Sequence, residues 1–468
     1  MRIAAVIPFA LLALLAAAPA HAGVRVVPPF DPAEYADRAA VGLLVPGAGP
    51  TVTREGALAA LLRGRVEHDL LGGVPAGEPL LELDAPGGPE ILVSLPPPGR
   101  SENDRRYPIA LLGAQGLLTS DSTRIDGLVS IADVATGRLR TVPSADPARE
   151  LEQLDARIDR NDALRLPLTL LVAALLLVLG WLRPPLALRV VPVALAANLL
   201  LEPWLALAAL LGAVLLPLGP ACAAVLAAYL VSFGIDAETV ALSPLGPSQS
   251  GRFHGVNNLL ETMLLVPALV GTALLGRAGV AVAALALVTV GGNRFGADGG
   301  GLLVFATGFA VLALRLLHVR LTLRTVVALA AVVVAVALAV VSLDALTGGE
   351  SHVTDTLSGG PGELAGDLAD RVELSVRRTL ASPGALVVVL GGLGVLAAVV
   401  ARGERTPVLE AFLAALAVSL LVNDTPSDVI GIGAAAAFAL ARAAPWLTEV
   451  EPAPRRPVLS PFLDSRRY

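Results

Sequence analysis

The stretch Leu164–Leu182, LRLPLTLLVAALLLVLGWL, decides the class of this protein. Arg165 is its only charged residue, and a run of roughly 18 apolar residues is long enough to cross the hydrocarbon core of a bilayer. Similar runs recur along the 468-residue chain, which is 55% hydrophobic and 16% charged, with a mean hydropathy of +0.73. A soluble domain does not need that much apolar surface. The sequence therefore predicts an α-helical polytopic membrane bundle.

About eleven apolar runs are predicted to cross the membrane. They are 164–182, 186–201, 203–217, 219–234, 257–276, 278–292, 300–317, 322–345, 384–401, 407–422 and 427–444. The stretch 186–217 could instead form one long helix hinged at LLEPWLA. Two spans are favoured there, because merging them would move RLLHVRLTLR and ARGER outside and break the positive-inside rule.

The first 22 residues have the pattern of a secretory signal peptide. One arginine, an apolar core and the small-residue site Ala20-His21-Ala22 follow one another in order. Either a cleaved signal or an uncleaved anchor places the following segment outside the cytoplasm. The sequence thus predicts a plasma-membrane protein with an extracytoplasmic domain at 23–162, a transmembrane domain at 163–446 and a cytoplasmic tail at 447–468.

The segment 23–162 is charged and rich in proline and glycine. Its apolar runs VRVV, VGLLV, EILVSL, PIALLG and GLVSIADV are predicted strands, and DPAEYADRA, TREGALAALLRG and PARELEQLDARID are predicted helices. Alternating elements of this kind predict a small α/β domain with a mostly parallel sheet.

Four polar stretches share the outer side in this topology. They are SGRFHGVNNLLE (250–261), GGNRFGADGGG (291–301), GGESHVTDT (348–356) and VNDTPSD (422–428). Between the last two, 362–380 places apolar residues at four-residue spacing with charges opposite. This pattern predicts either an amphipathic helix on the outer membrane surface or a packed helix of the external domain.

Several of these polar residues have a simple structural interpretation. Asn258 and Glu261 have the spacing of a capping box at a helix start, and Asp298 before three glycines can cap a helix. Glu261 also lies one turn inside an apolar span, where an ionisable side chain usually faces a partner or a wet cavity. His352 in a loop is typical of a solvated histidine. A Ser-His-Asp triad is rejected because no spacing singles one out.

Two arginines, Arg252 and Arg294, depart from the positive-inside trend. They could form plain ion pairs, or they could bind a phosphate or carboxylate with two hydrogen bonds each. The candidate ligand-binding residues are therefore Arg252, Asn257, Glu261, Arg294, Asp298, His352, Asn423 and Asp424. No catalytic residue, metal ligand or cofactor is predicted, since the chain carries no HxH, HExxH or CxxC pattern.

The chain resembles a family of uncharacterised bacterial membrane proteins, actinobacterial and firmicute, that carry an external alkaline-phosphatase-like domain. The segments that carry the resemblance are LTSDSTRIDGLVSIADVA (118–135), GRFHGVN (251–257), GADGG (296–300), Ser351-His352 and Asn423-Asp424-Thr425. The external segment is short for such a domain, and His68 is its only histidine after the signal. The resemblance therefore implies a shortened, non-catalytic relative.

These observations lead to one functional hypothesis and three alternatives. The hypothesis is a cell-envelope protein that binds an anionic lipid-linked or cell-wall precursor at an outward-facing polar site. The alternatives are an ion-coupled transporter, a non-catalytic scaffold for envelope enzymes, and a metal-dependent phosphoesterase. The predicted partners are membrane lipids and envelope components, and nucleic acid is not among them.

Overall fold

A computed structural model describes residues 23–48, 52–63, 90–292, 294–319, 322–346, 372–373, 375–377 and 379–450. The predicted signal peptide, His352 and most of the predicted tail lie outside these residues. The chain divides into two compact units. The first reaches to Ile158 and includes Ser248–Phe253, and the second runs from Asp159 to Pro247 and continues from His254.

The first unit is built on one seven-stranded sheet with two helices. Its strands are β1 (Gly23–Val26), β2 (Ala39–Val45), β3 (Glu90–Val93), β4 (Tyr107–Leu112), β5 (Gly116–Ser120), β6 (Leu128–Ser130) and β7 (Leu139–Val142). The order is β1-β3-β4-β2-β5-β7, and β6 pairs with β2. Helices α1 (Arg54–Arg63) and α2 (Ile131–Ala135) contribute to its apolar core with side chains such as Leu61 and Val134.

The sheet is mixed, which corrects the prediction of a mostly parallel one. β1 with β3, and β2 with β5 and with β6, are parallel, whereas β2 with β4, β3 with β4, and β5 with β7 are antiparallel. The sequence missed β5 and β7, and the strand predicted over GLVSIADV ends at Ser130, where α2 begins. The helix predicted over DPAEYADRA is only a single 3₁₀ turn, Pro32–Glu34.

Helix α3 (Pro147–Leu182) covers two elements that were predicted to be separate. The predicted domain helix over PARELEQLDARID and the first predicted span form one continuous helix of 36 residues. Pro167 lies inside it without ending it. The second unit begins within this helix, at Asp159.

The second unit is helical. After α3 come α4 (Pro184–Ala197), α5 (Pro203–Leu215), α6 (Leu218–Ile235), α7 (Glu238–Ala241), α8 (Asn258–Leu274), α9 (Gly279–Gly291), α10 (Gly299–Leu316), α11 (Leu323–Leu346), α12 (Pro383–Arg402), α13 (Pro407–Val422), α14 (Pro426–Arg442) and α15 (Ala444–Val450). Among the described residues, four of these helices, α3, α6, α10 and α12, are long and apolar enough to cross a membrane. Others, including α4, α5, α8 and α13, are apolar but shorter.

Helix α8 lies at the centre of this unit. Most of its side chains are buried, from Leu259 to Ala273, and it packs against α6, α9, α13 and α14. In contrast, α3, α5 and α12 expose large apolar side chains such as Leu171, Leu215 and Val387. Apolar surface of this extent is typical of a face that meets lipid. Apolar side chains are thus exposed on the outer helices, and α8, which carries polar side chains, is buried among them. This arrangement is typical of a membrane protein.

Helices α10 and α13 run antiparallel in close contact. A Cβ atom built on Gly308 would lie 3.3 Å from the Cβ of Ala415, so the two backbones approach closely at mid-length. At one end the Arg315 guanidinium forms an ion pair with Glu410, with Nη2 3.0 Å from Oε1. At the other end the start of α10 meets the end of α13. That second end carries the polar residues considered next.

Candidate functional site

Glu261 is the centre of a buried polar cluster in the second unit. Its side chain is 0% exposed. Ser419 donates its hydroxyl to Oε1 at 2.9 Å, and the Asn423 amide donates to Oε2 at 3.0 Å. The same Asn423 nitrogen lies 2.8 Å from the Ser419 hydroxyl. Ser419 and Asn423 are four residues apart, so α13 presents both on the face that meets α8.

Asn257 and Asn258 differ from the predicted capping box. The N-cap of α8 is Asn257, whose side-chain oxygen accepts from the backbone of Leu260 at 2.8 Å. Asn258 instead donates to Asp424 at 3.1 Å and to the Thr425 hydroxyl at 2.7 Å. Glu261 is thus bonded to α13, and the capping-box interpretation is wrong. We define the polar cluster as Asn258, Glu261, Ser419, Asn423, Asp424 and Thr425.

Asp298 borders this cluster as the N-cap of α10. Its side chain accepts from the backbone of Gly301 at 3.1 Å and is buried. A Cβ on Gly300 would lie 3.4 Å from Oδ1 of Asn423 and 3.6 Å from Oδ1 of Asp298. Gly300 therefore lies between the two polar side chains. The structure brings together four of the predicted site residues in this way, Glu261, Asp298, Asn423 and Asp424.

Arg165 contributes a guanidinium that the sequence did not assign to the site. It forms an ion pair with Asp162, with Nη1 3.3 Å from Oδ1, and interacts more weakly with Asp428 in the first turn of α14, which in turn interacts with Asp424. Arg165 also donates to the carbonyl of Gly246 at 2.8 Å. Asn257 donates to that same carbonyl at 2.6 Å, so the cation and the α8 cap hold one loop.

The loop that precedes this region is fixed by amides from three helices. Asn161 of α3 donates to the carbonyl of Leu242 at 2.6 Å. Asn198, at the end of α4, accepts from the backbone of Leu245 at 3.0 Å and donates to Ser243 at 2.8 Å. Asn257 adds α8 as the third helix. Buried backbone groups need partners, and here amide side chains supply them, which holds the start of α8 in place.

Three helix N-termini meet at the polar cluster. They belong to α8, α10 and α14, and their aligned peptide dipoles place partial positive charge there. Asn257 and Asp298 cap the first two with side-chain oxygens. Thr425 precedes α14 without a side-chain capping bond. The end of α13, at Asn423, is surrounded by these starts.

Three predicted site residues, Arg252, Arg294 and His352, are not members of the polar cluster as defined. Arg252 belongs to Ser248–Phe253, which clusters with the first unit; there Asn103 donates to the carbonyl of Ser250 at 2.9 Å. Arg294 is exposed in the connection between α9 and α10. His352 is outside the described residues. The polar cluster as defined therefore includes neither arginine.

Two residues of the site carried a signal that the sequence reasoning overlooked. Arg165 is the only charge in its apolar run, and such a residue inside a span usually has a partner. Ser419 precedes Asn423 by four residues in an otherwise apolar helix, which places both on one face. Arg165 was missed because it lies at the predicted boundary of the first span, where a charge is ordinary.

The first unit holds a second buried carboxylate, in the LTSDSTRIDGLVSIADVA segment. Oδ2 of Asp133 accepts from the hydroxyls of Ser120 at 2.8 Å and Ser130 at 2.6 Å, from the Ser130 backbone at 3.1 Å, and from Ser122. Ser130 and Asp133 form a capping box that begins α2. Within the part of the chain that the structure describes, no group of three or more His, Cys, Asp or Glu side chains is arranged to hold a metal ion.

Comparison with known proteins adds no relative. The chain matches no protein-family model, no curated protein and no solved structure.

Proposed function

We propose that the protein is a plasma-membrane protein of the cell envelope whose polar cluster binds protons in an ion-coupled process. In this proposal the chain crosses the bilayer eleven times. Residues 23–162 lie outside the cytoplasm, and the starts of α8, α10 and α14 face the outer leaflet. The arginine distribution supports this orientation, because Arg183, Arg277 and Arg402 then face the cytoplasm.

The burial of Glu261 is the observation that carries the proposal. An ionised carboxylate removed from water costs several kcal/mol even after the protein relaxes, and protonation removes that cost. The described partners of Glu261 include a hydroxyl and an amide, Ser419 and Asn423. Both can rearrange when a carboxylate becomes a carboxylic acid, because a hydroxyl rotates and the Asn423 oxygen can accept. Glu261 is therefore suited to take up and release a proton.

The surrounding charges support proton binding. The described interactions bring Glu261, Asp424 and Asp428 into one region with the guanidinium of Arg165. Ionisable side chains grouped inside an apolar helical unit are typical of a proton pathway.

Infrared difference spectroscopy on the protein in lipid nanodiscs tests the role of Glu261. Titration of the wild type from alkaline to acidic pH is expected to produce a carboxylic-acid C=O band that Glu261→Gln lacks. Glu404→Gln is the matched control, since Glu404 is exposed in the connection between α12 and α13. A band of equal intensity in wild type and Glu261→Gln contradicts the proposal.

One observation favours a second candidate, which is binding of an anionic lipid-linked phosphate. The start of α14 carries no side-chain cap, and the positive end of its helix dipole suits an anion. Arg165 then replaces Arg252 and Arg294 as the cation that holds the phosphate. This candidate competes with the carboxylates Asp424 and Asp428, which already lie at that helix start, and we rank it second for that reason.

Thermal unfolding in nanodiscs that contain polyprenyl phosphate tests this second candidate. The phosphate is expected to raise the midpoint of the wild type above that measured with the matched polyprenol, and Arg165→Gln is expected to abolish the difference. Arg277→Gln, which changes an exposed arginine, is the control. Equal midpoints with the phosphate and the alcohol contradict the candidate.

A further inference from the structure

The described residues of 372–381 place small polar side chains against the polar cluster. They are helical, and we call them segment 372–381. Ser375 is buried and donates its hydroxyl to the carbonyl of Asn423 at 3.2 Å. Thr379, one turn later and also buried, donates to the carbonyl of Ser375 at 2.8 Å. One face of the segment thus meets the end of α13.

A different face of the same segment is apolar and exposed. Val372, Val376 and Leu380 recur every four residues and are 40%, 52% and 66% exposed. Glu373 and Arg377 are also exposed and form an ion pair with each other. An exposed apolar stripe beside an exposed ion pair is the pattern of a helix that lies at a membrane surface.

The apolar stripe continues into a membrane-length helix. Segment 372–381 is followed by Ser382, which caps α12, and α12 is one of the four helices long enough to cross a membrane. Val387 and Leu390 of α12 are also largely exposed. The lipid that covers α12 can therefore extend over the stripe without a break, whereas a protein partner would have to meet both surfaces.

We propose that segment 372–381 lies in the membrane surface and covers the polar cluster. Val372, Val376 and Leu380 contact lipid acyl chains, while Ser375 closes the end of α13 through its bond to Asn423. The bilayer is thus the partner of this surface, and it holds the segment over the cluster. The inference depends on the membrane class and on the Ser375 contact, and it is independent of whether Glu261 binds protons.

Spin-label accessibility in nanodiscs tests the lipid contact. The label is attached at Val376→Cys or at Arg377→Cys in a Cys222→Ala background, because Cys222 is the chain's single cysteine. A label at position 376 is expected to collide more often with oxygen, which concentrates in lipid, than with a water-soluble nickel chelate. The control label at position 377 is expected to show the reverse.

Two outcomes overturn the lipid contact. Equal access of the nickel chelate to both labels places Val376 in water. A label at position 376 that neither reagent reaches is covered by protein, which assigns the stripe to another part of the chain or to a second copy. Each variant is first checked for a wild-type unfolding midpoint, so that misfolding is not mistaken for either outcome.

Hydrogen exchange tests the cover over the cluster. Ser375→Ala removes the hydroxyl that binds Asn423, and backbone exchange in peptides covering 372–381 and 419–425 is expected to accelerate about fivefold, the factor for one net hydrogen bond. Ser375→Thr keeps the hydroxyl and is expected to restore the slow rate. Thr379→Val, which loses only a bond within the segment, is the control. Unchanged exchange in Ser375→Ala overturns the contact.

Discussion

Two buried carboxylates, Asp133 in the first unit and Glu261 in the second, are held by opposite arrangements of donors. Asp133 gathers its donors from Ser120, Ser122 and Ser130, all within 13 positions of it in the sequence. Glu261 is bonded by Ser419 and Asn423, which are 158 and 162 positions away. A local set of donors forms with the turn that contains it. A distant set forms only when whole helices pack.

The difference in donors indicates that Asp133 is a structural carboxylate, whereas Glu261 is a candidate for function. Four hydrogen bonds converge on Oδ2 of Asp133 and tie the connection that follows β5 to the start of α2. Ser419 donates to one oxygen of Glu261 and Asn423 to the other, and these two residues lie on α13 and at its end. A change in its protonation therefore acts directly on the contact between two helices, α8 and α13.

Asp133→Ala is expected to give the largest loss of stability, and it tests whether Asp133 is a structural carboxylate. Three hydroxyls and a backbone N–H lose a buried acceptor, each worth roughly 1–3 kcal/mol, so the first unit is expected to lose about 3 kcal/mol or more. Exchange in peptides covering 116–135 measures this in the full chain. Asp121→Ala is the control in the same turn, because Asp121 is exposed and pairs with Arg140 at the surface.

Ser419→Ala is expected to give an intermediate effect, located in the second unit. Glu261 loses one donor and Asn423 loses its hydroxyl partner, which costs roughly 1–3 kcal/mol. The unfolding midpoint of the protein in nanodiscs reports the loss. Thr307→Val serves as the control, since Thr307 bonds only within α10 to Leu303. Equal midpoints for Ser419→Ala and Thr307→Val would show that Glu261 does not depend on α13.

Substitution of Asp104 is expected to give the smallest change in stability. Asp104 is an exposed carboxylate, so it is a reference for the buried Asp133 and Glu261. A hydrogen bond from Arg100 lowers the pKa of this exposed carboxyl below its ordinary value. Because the folded-state pKa is the lower one, the pair stabilises the fold above the ordinary carboxyl pKa, and the contribution is lost as pH falls through the folded pKa. Asp104→Asn is thus expected to differ slightly from wild type near neutral pH and not at strongly acidic pH. Unfolding midpoints across pH measure this.

The sequence predicted the helices of the second unit well, because apolar runs and Pro or Gly boundaries are local signals. Each predicted run overlaps a described helix, for example 219–234 with α6 at Leu218–Ile235. The number that cross the membrane stays a prediction. The sheet was predicted less well because pairing is non-local. β2 pairs with β4 in the antiparallel direction and with β5 and β6 in the parallel direction. Nothing within its sequence, AAVGLLV, indicates these partners.

Site prediction followed the same division. The prediction selected polar residues at the ends of apolar runs. Glu261, Asp298 and Asn423 were among them, and the structure brings these three to one region. The pairing of Glu261 with Ser419 could not be predicted, since it depends on how α8 and α13 pack. The local capping rule chose the wrong asparagine: the side-chain oxygen of Asn257 caps α8, and Asn258, already inside the helix, donates its amide to Asp424.

The antiparallel pair α10 and α13 limits how the polar cluster can open. The ion pair of Arg315 with Glu410 fixes the register of the two helices at one end, and the close approach of Gly308 to Ala415 fixes it again at mid-length. Sliding one helix along the other would break both contacts at once. Measured from the Gly308 crossing, the eight residues from Ala415 to Asn423 span about 12 Å at 1.5 Å per residue. A tilt of about five degrees at that crossing would therefore move Asn423 by only about an ångström.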